Sequence, residues 1–394
     1  MEPLTGSFNG ESPADPYVHY RELRETDPVH FIEPPGLWFL TRYADVAAAM
    51  RDERLSAERF QLSLPEMQAS ALIRSLTNMM LLRDPPHHTR MRTLVSKAFT
   101  PRVVEGLRSR IEEIVDNLLG AILPTGRLEL MHDLAAPLPV IVIAQLLGIP
   151  VQDREQFKRW SDDLMLIADG SLALTGFPKA EQSTGELRTY LNGIFAERRV
   201  DPRDDLISGL LAAQERDDRL SEDELFATCV LLLAAGHETT TNLIGNGMLA
   251  LLRHPDQLAL LRRDPTLIRG AIEELLRYDS PVQIMSRVAK EDVHIDGRLV
   301  RQGQEVALGL AAANRDPEQF PDPDRLDITR ADVHHLAFGH GIHFCLGAPL
   351  ARLEGQIAVQ ALVQRLPGLR LQTDDVQWRD GLMLRGLTQL PLGF

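Results

Sequence analysis

The chain has 394 residues, 44% of them hydrophobic, 25% charged and only 5% aromatic, with 42 Lys and Arg against 56 Asp and Glu. This composition excludes a disordered chain and is ample for a large core, and a net charge of -14 argues against a general affinity for nucleic acid or an anionic membrane. Two cysteines cannot build a disulfide framework, so a reducing, cytoplasmic setting is expected.

Met1 to Tyr20 mix Glu, Asp, Pro and Gly without an apolar run, so no secretory signal is expected there. A short strand pair, Val29 to Ile32 and Trp38 to Leu40, flanks Pro34-Pro35-Gly36 and leads to a helix from Ala44. Apolar residues recurring at three and four positions predict a helix over Leu107 to Leu119. Leu134 to Val151 is uncharged and just long enough to test as a membrane span. Pro137, Pro139 and Pro150 interrupt it, so a buried helix over about Val140 to Leu147 is expected.

Further helical periodicity covers Glu222 to Leu233, Leu243 to Leu252, Pro265 to Tyr278 and Pro349 to Arg365. Asp296-Gly297 between Val293-His294-Ile295 and Leu299-Val300 predicts a tight hairpin. The run Asn314 to Arg330, rich in proline and aspartate, reads either as a domain linker or as a long ordered loop. No repeat period, Ser/Gly linker or long charge block divides the chain. A mainly α fold with small β-sheets follows.

The segment Phe338-Gly339-His340-Gly341-Ile342-His343-Phe344-Cys345-Leu346-Gly347 runs straight into a helix. Its glycines allow tight turns and close approach of backbone to a flat ligand. Cys345 falls at the helix N-terminus, where backbone N–H groups and the helix dipole favour a thiolate, and a thiolate can hold a metal. A lone cysteine is otherwise a small buried hydrophobe. Zinc held by His340, His343 and Cys345 is a third option, but no CxxC exists, and His87-His88 and His334-His335 do not supply a finger-like spacing.

The segment resembles the haem-binding signature of the cytochrome P-450 family: Phe, two spaced glycines, a basic residue, Cys and Gly. The resemblance implies haem b with Cys345 as the thiolate ligand of its iron, a ligand that favours O–O cleavage. It implies Phe338 packed on the thiolate side, Gly339 and Gly347 shaping the loop, and His343 bound to a haem propionate.

Three more motifs stand in the family's order. Cys229 to Thr241 is an apolar run that meets Glu238 and three threonines, which alone reads equally as a helix end with Thr239 or Thr240 capping the next helix. By resemblance it is the oxygen-binding part of a long central helix over the haem. Ala235 and Gly236 then leave room beside the iron, Thr239 stabilises bound oxygen and Glu238 feeds protons inward.

Glu274 and Arg277, three apart, would on a surface be an ordinary ion pair. In the family they form a buried structural set with an arginine from a later loop, a place that Arg325 occupies. Arg83 to Arg92 would alone be a capped basic helix, and by resemblance its His88 and Arg92, with Arg287, bind the propionates.

The likeness runs from Asp27-Pro28-Val29-His30 to Gly386-Leu387-Thr388-Gln389-Leu390-Pro391, nearly the whole chain. It implies one P-450-like domain over residues 1–394 that acts as a monomeric monooxygenase, hydroxylating or epoxidising an apolar organic molecule with dioxygen, as in secondary metabolism. No Gly-x-Gly-x-x-Gly or iron-sulfur cysteine set is present, so electrons would come from a ferredoxin and its reductase. A typically acidic ferredoxin implies a basic patch on the Cys345 side, including Arg92 or Arg352. The family's geometry implies a pocket lined by Leu82, Leu233, Ala234, Val282, Ile284, Met285, Met383 and Leu384, with further walls from Glu58 to Leu82 and from Leu164 to Phe177. Ser56 to Met80 would form a mobile lid. Direct use of peroxide and non-catalytic gas sensing are the alternatives.

Overall fold

A computed structural model describes residues 15–33, 36–59, 70–168, 176–215 and 218–394. The chain divides into two compact units. One comprises Met1–Leu55, Ser109–Leu138 and Thr239–Phe394, and the other Ser56–Arg108 and Pro139–Glu238.

In the first unit the strands run Val29–Ile32, Leu37–Leu40, Glu305–Gly309, Ile284–Ala289 and Leu55–Ser56 across one five-stranded sheet. Val306 pairs with Trp38 in parallel and with Arg287 antiparallel. Alternation along the strands feeds two cores: Val29, Leu40, Val306 and Leu308 enter one, and Ile32, Leu37, Phe39, Ala307 and Ile284 the other. Gly309 is required where it stands, because a Cβ there would lie 2.7 Å from the Leu40 carbonyl oxygen.

The expected hairpin is Val293–Ile295 paired with Arg298–Val300, and its turn residues Asp296 and Gly297 have φ of 46° and 76°. Both values are left-handed, as a two-residue hairpin turn demands. The helix expected from Leu107 is Arg108–Ile122, and those expected from Pro265 and Pro349 are Ile268–Tyr278, after a 3-10 turn, and Ala348–Arg365.

Residues 314–330 are an ordered loop of this unit. Asn314 donates to the Ser280 hydroxyl at 2.8 Å and accepts from the Leu336 N–H at 2.7 Å, and the Arg315 guanidinium lies 4.3 and 3.8 Å from the Tyr17 and Tyr278 ring centres.

The second unit is helical, with His87–Ala98, Arg154–Ala168, Gly176–Val200 and Leu206–Ala212. Arg198, buried there, donates to Asp205 at 2.5 Å and to the Gly148 carbonyl at 3.0 Å. The helix expected from Val140 begins earlier, as Pro137–Leu147, since proline is tolerated in a first turn. Among the described residues no helix is long and apolar enough to cross a membrane.

The periodic stretches Glu222 to Leu233 and Leu243 to Leu252 lie in one helix, the 32-residue Glu222–Arg253, the long central helix that the resemblance implies. It contributes residues up to Glu238 to one unit and from Thr239 to the other.

Candidate functional site

In the first unit the cysteine loop turns twice through left-handed glycines, Gly339 at φ +71° and Gly341 at φ +69°. A Cβ on Gly341 would lie 3.2 Å from the Met50 carbonyl oxygen, so this glycine also answers a close approach. After the 3-10 turn Gly341–His343, the Cys345 N–H donates to the Phe338 carbonyl at 2.9 Å and closes the loop. The helix Ala348–Arg365 starts three residues beyond the sulfur, with Pro349 in its first turn.

Cys345 and His343 are half-buried, and Phe344 and Ile342 beside them are exposed. A Cβ on Gly347 would stand 3.8 Å from Cys345 Sγ, an ordinary contact distance, so Gly347 lies directly beside the sulfur. Arg287 is buried on the strand Ile284–Ala289 and donates to the Ser286 carbonyl at 2.9 Å. Burial and the nearby Arg51 hold the imidazole of His340 below its usual range.

In the second unit the helix His87–Ala98 follows a cis Pro85-Pro86 bond and buries His88, with Arg92 half-buried one turn on. Asp84 anchors the entry by accepting from the Ser56 hydroxyl at 2.6 Å and the Ala57 N–H at 3.0 Å.

Along the central helix Leu232, Ala235, Gly236 and Thr239 are three, four and seven apart, so they share one face. Ala235 is exposed and the other three are half-buried. Leu233, His237, Glu238, Thr240 and Thr241 are buried on the other faces. His237 Nδ1 lies 3.3 Å from the buried Ser161 hydroxyl, and Thr241 donates to the Ala135 carbonyl at 3.1 Å. The helix therefore does not end at Gly236. It continues and offers an accessible face of small residues.

Several expected placements change. Leu233 is a core residue, because it points away from the Leu232, Ala235, Gly236 face. Ile284 is one too, packed with Tyr17, Tyr20 and Phe39 on the far side of the sheet. Val282 and Met285 are half-buried against the first core, and Val282 pairs with Leu384 where Gln283 donates to the Met383 carbonyl at 2.9 Å. Leu82 and Leu384 are buried, and Ala234 and Met383 half-buried. Residues 60–69 and 169–175 of the expected lid and pocket walls lie outside the described residues.

The place given to Arg325 is taken by Arg330. Glu274 and Arg277, both fully buried, form a bidentate pair at 2.7 and 2.8 Å, and Arg330 Nε lies 3.3 Å from Glu274. Arg325 contributes its carbonyl, which accepts from Arg277 and Arg330, and turns its side chain to solvent. The loop's path, not the spacing of its arginines, decides which one reaches inward.

Arg352, expected as an open surface charge, is committed within the unit to a bidentate pair with Glu273 at 2.7 and 2.8 Å. Two buried polar groups on these helices carried no motif signal. Glu354 has one carboxyl oxygen without a partner, and its burial raises its pKa well above the usual carboxylate range. Asn242, one turn after Thr239, packs on Gly386.

A haem asks for one axial donor and for polar partners to two carboxylates. The first unit supplies a thiol at a helix start, a buried arginine and a half-buried histidine, and the second a buried histidine, an arginine and a helix face of small residues. Taken one unit at a time, these are residue types that bind a haem's iron and carboxylates. A structural zinc ion wants four ligands, and among the described residues no three of His, Cys, Asp and Glu gather to hold a metal ion.

The sequence model of the family described as Cytochrome P450 matches residues 30–266 and 262–391. Vitamin D(3) 25-hydroxylase of Pseudonocardia autotrophica is 47% identical over 98% of this chain and 95% of its own length. Cytochrome P450 monooxygenase PikC of Streptomyces venezuelae is 44% identical over 98% and 93%. The crystal structure of P450BioI in complex with hexadec-9Z-enoic acid ligated acyl carrier protein superimposes with a TM-score of 0.92 at 42% identity, covering 96% of this chain and 98% of that one. With a family match over almost its full length and relatives this similar, the chain belongs to the cytochrome P450 family.

Proposed function

We propose that this enzyme inserts one oxygen atom of dioxygen into a bulky lipophilic molecule, with electrons from a ferredoxin and its reductase. The coarser part is established by membership: the chain is an oxygen-incorporating oxidoreductase whose cofactor is haem b. When bound, that group supplies the iron on which dioxygen is reduced.

The observation that carries the reading is the cysteine loop. Its closing hydrogen bond and two left-handed glycines fix one sulfur at a helix start. There Cys345 is the proposed iron ligand, with Phe338 packed beside it. His88, Arg92, Arg287 and His343 are the proposed propionate partners, each carrying or able to carry positive charge against a carboxylate.

Thr239 stands on the accessible helix face beside Ala235 and Gly236, while Glu238 is buried about 100° around the helix. In this reading the alcohol faces the reacting side and the buried acid passes protons to it from behind, a division suited to delivering protons without admitting bulk water. The half-buried Val282, Met285 and Met383 and the accessible Leu232 offer apolar contact. A relative named for vitamin D(3) and solved structures holding testosterone or myristic acid support a substrate of that lipophilic class.

Thr239→Ala separates this reading from its alternatives. With reductase, ferredoxin and a substrate found by spin-state screening, the variant should consume NADPH while product falls about 100-fold, the scale of a lost proton-transfer group. Unchanged product yield would favour direct use of peroxide, and no product from the parent with any electron donor would favour gas sensing.

A further inference from the structure

Around the Cys345 loop lies a cluster that the proposed chemistry does not use. Glu273, on the helix Ile268–Tyr278, receives the Arg352 fork at 2.7 and 2.8 Å. His335 brings Nε2 to 3.2 Å from the same carboxylate, off the line of a well-directed hydrogen bond. The Ala337 N–H donates to His335 Nδ1 at 3.1 Å, which leaves Nε2 as the ring nitrogen that faces Glu273.

Burial opposes ionisation of Glu273, but the imidazole and guanidinium against it prevail and hold its pKa at about 2. The Arg352 guanidinium in turn lies 4.6 Å from the centre of the Phe338 ring, and the His335 ring lies 5.6 Å from it. Phe338 is the residue whose carbonyl accepts the Cys345 N–H.

We propose that Glu273, Arg352 and His335 are positioning residues for the iron ligand: they clamp the Phe338 ring, and through its backbone they fix the sulfur of Cys345. The inference rests on the reading of Cys345 as haem ligand. A guanidinium is suited to the task because its plane can bind a carboxylate with its edge and stack on a ring with its face. An ammonium is a point charge without a plane and cannot make both contacts at once in this geometry. The same commitment removes Arg352 from the charges free to attract an acidic partner.

The test uses haem-loaded enzyme, reduced and treated with carbon monoxide, and follows loss of the red-shifted Soret band of thiolate ligation in urea below the unfolding transition. Arg352→Met and Glu273→Gln should each lose the band about tenfold faster than the parent, a difference of about 1.4 kcal/mol. The double variant should be no faster than either single, because the two groups act as one unit. Arg352→Lys, which keeps the charge and suits a fold that tolerates Met poorly, should behave like Arg352→Met.

Arg365→Met breaks the pair with Asp116 at the far end of the same helix and should keep the parental rate. Parental rates in Arg352→Met and Arg352→Lys would overturn the proposal, as would equal acceleration by Arg365→Met, which would mark a general loss of stability. A parent enzyme without the red-shifted band would instead overturn the assignment of Cys345.

Discussion

Glu274 is fully buried, paired with Arg277 and met again by Arg330, whereas Glu273, one residue earlier on the same helix, keeps 25% of its side chain exposed beside Arg352 and His335. Arg277 also donates to three backbone carbonyls, of Asn314, Pro323 and Arg325, and so ties the helix to the loop 314–330. Arg352 reaches a ring, not a loop, and the ring belongs to the cysteine segment. Identical chemistry serves two ends because burial differs. A dry ion pair cannot lose one member without stranding the other charge, while a partly exposed one lets water fill the gap. The first suits a structural tie and the second an adjustable clamp.

The largest expected effect breaks the dry pair. Glu274→Ala should cost about 3 to 5 kcal/mol, the scale for an uncompensated buried charge, which is a large part of a typical stability of about 5 to 15 kcal/mol. A urea midpoint close to the parent's would show that solvent reaches Arg277. Glu273→Ala should cost less, about 1 to 2 kcal/mol, since only hydrogen bonds to a hydrated carboxylate are lost. Equal costs for the two variants would erase the contrast.

A third carboxylate sharpens it. Glu354 is buried with no ion-pair partner among the described residues, and desolvation raises its pKa well above the usual range. A pKa raised by folding means that the folded chain holds the proton more tightly. This contribution is fully present below the unfolded value near 4.5 and is lost as pH rises through the folded one. Glu354→Gln should therefore flatten the fall in stability between pH 5 and pH 8 and be the more stable form at the upper end. Parallel urea-midpoint curves for parent and variant would mean that Glu354 is paired and ionised. At the exposed extreme, Arg21 and Asp324 are 2.6 Å apart with nearly half of each side chain in solvent, and Arg21→Ala should change stability by less than about 0.5 kcal/mol in a thermal melt.

How much of this was legible in the sequence follows range. Asp296-Gly297 announced its hairpin because a left-handed turn is a local requirement, and the glycines about Cys345 announced a tight loop for the same reason. Periodicity alone marks only two stretches of the central helix, because a helix buried on most sides loses its amphipathic period and Glu238 with three threonines looks like a cap; the resemblance is what joins them. The exchange of Arg325 for Arg330, the core placement of Ile284 and Leu233, and the pairing of Arg352 with Glu273, 79 residues away, depend on chain paths that no local pattern encodes. Glu354 was silent because a lone acid in a helix reads as surface until its surroundings are known.

The central claim is that Cys345, alone among the side chains, binds the iron. The most direct measurement is the absorption spectrum of the reduced, carbon monoxide-treated enzyme, parent beside Cys345→His. The parent should show the strongly red-shifted Soret band of thiolate ligation and the variant an ordinary imidazole-type band at similar haem content. A parent band at the imidazole position, or a red-shifted band that survives in Cys345→His, would contradict the assignment and with it the proposed oxygen chemistry.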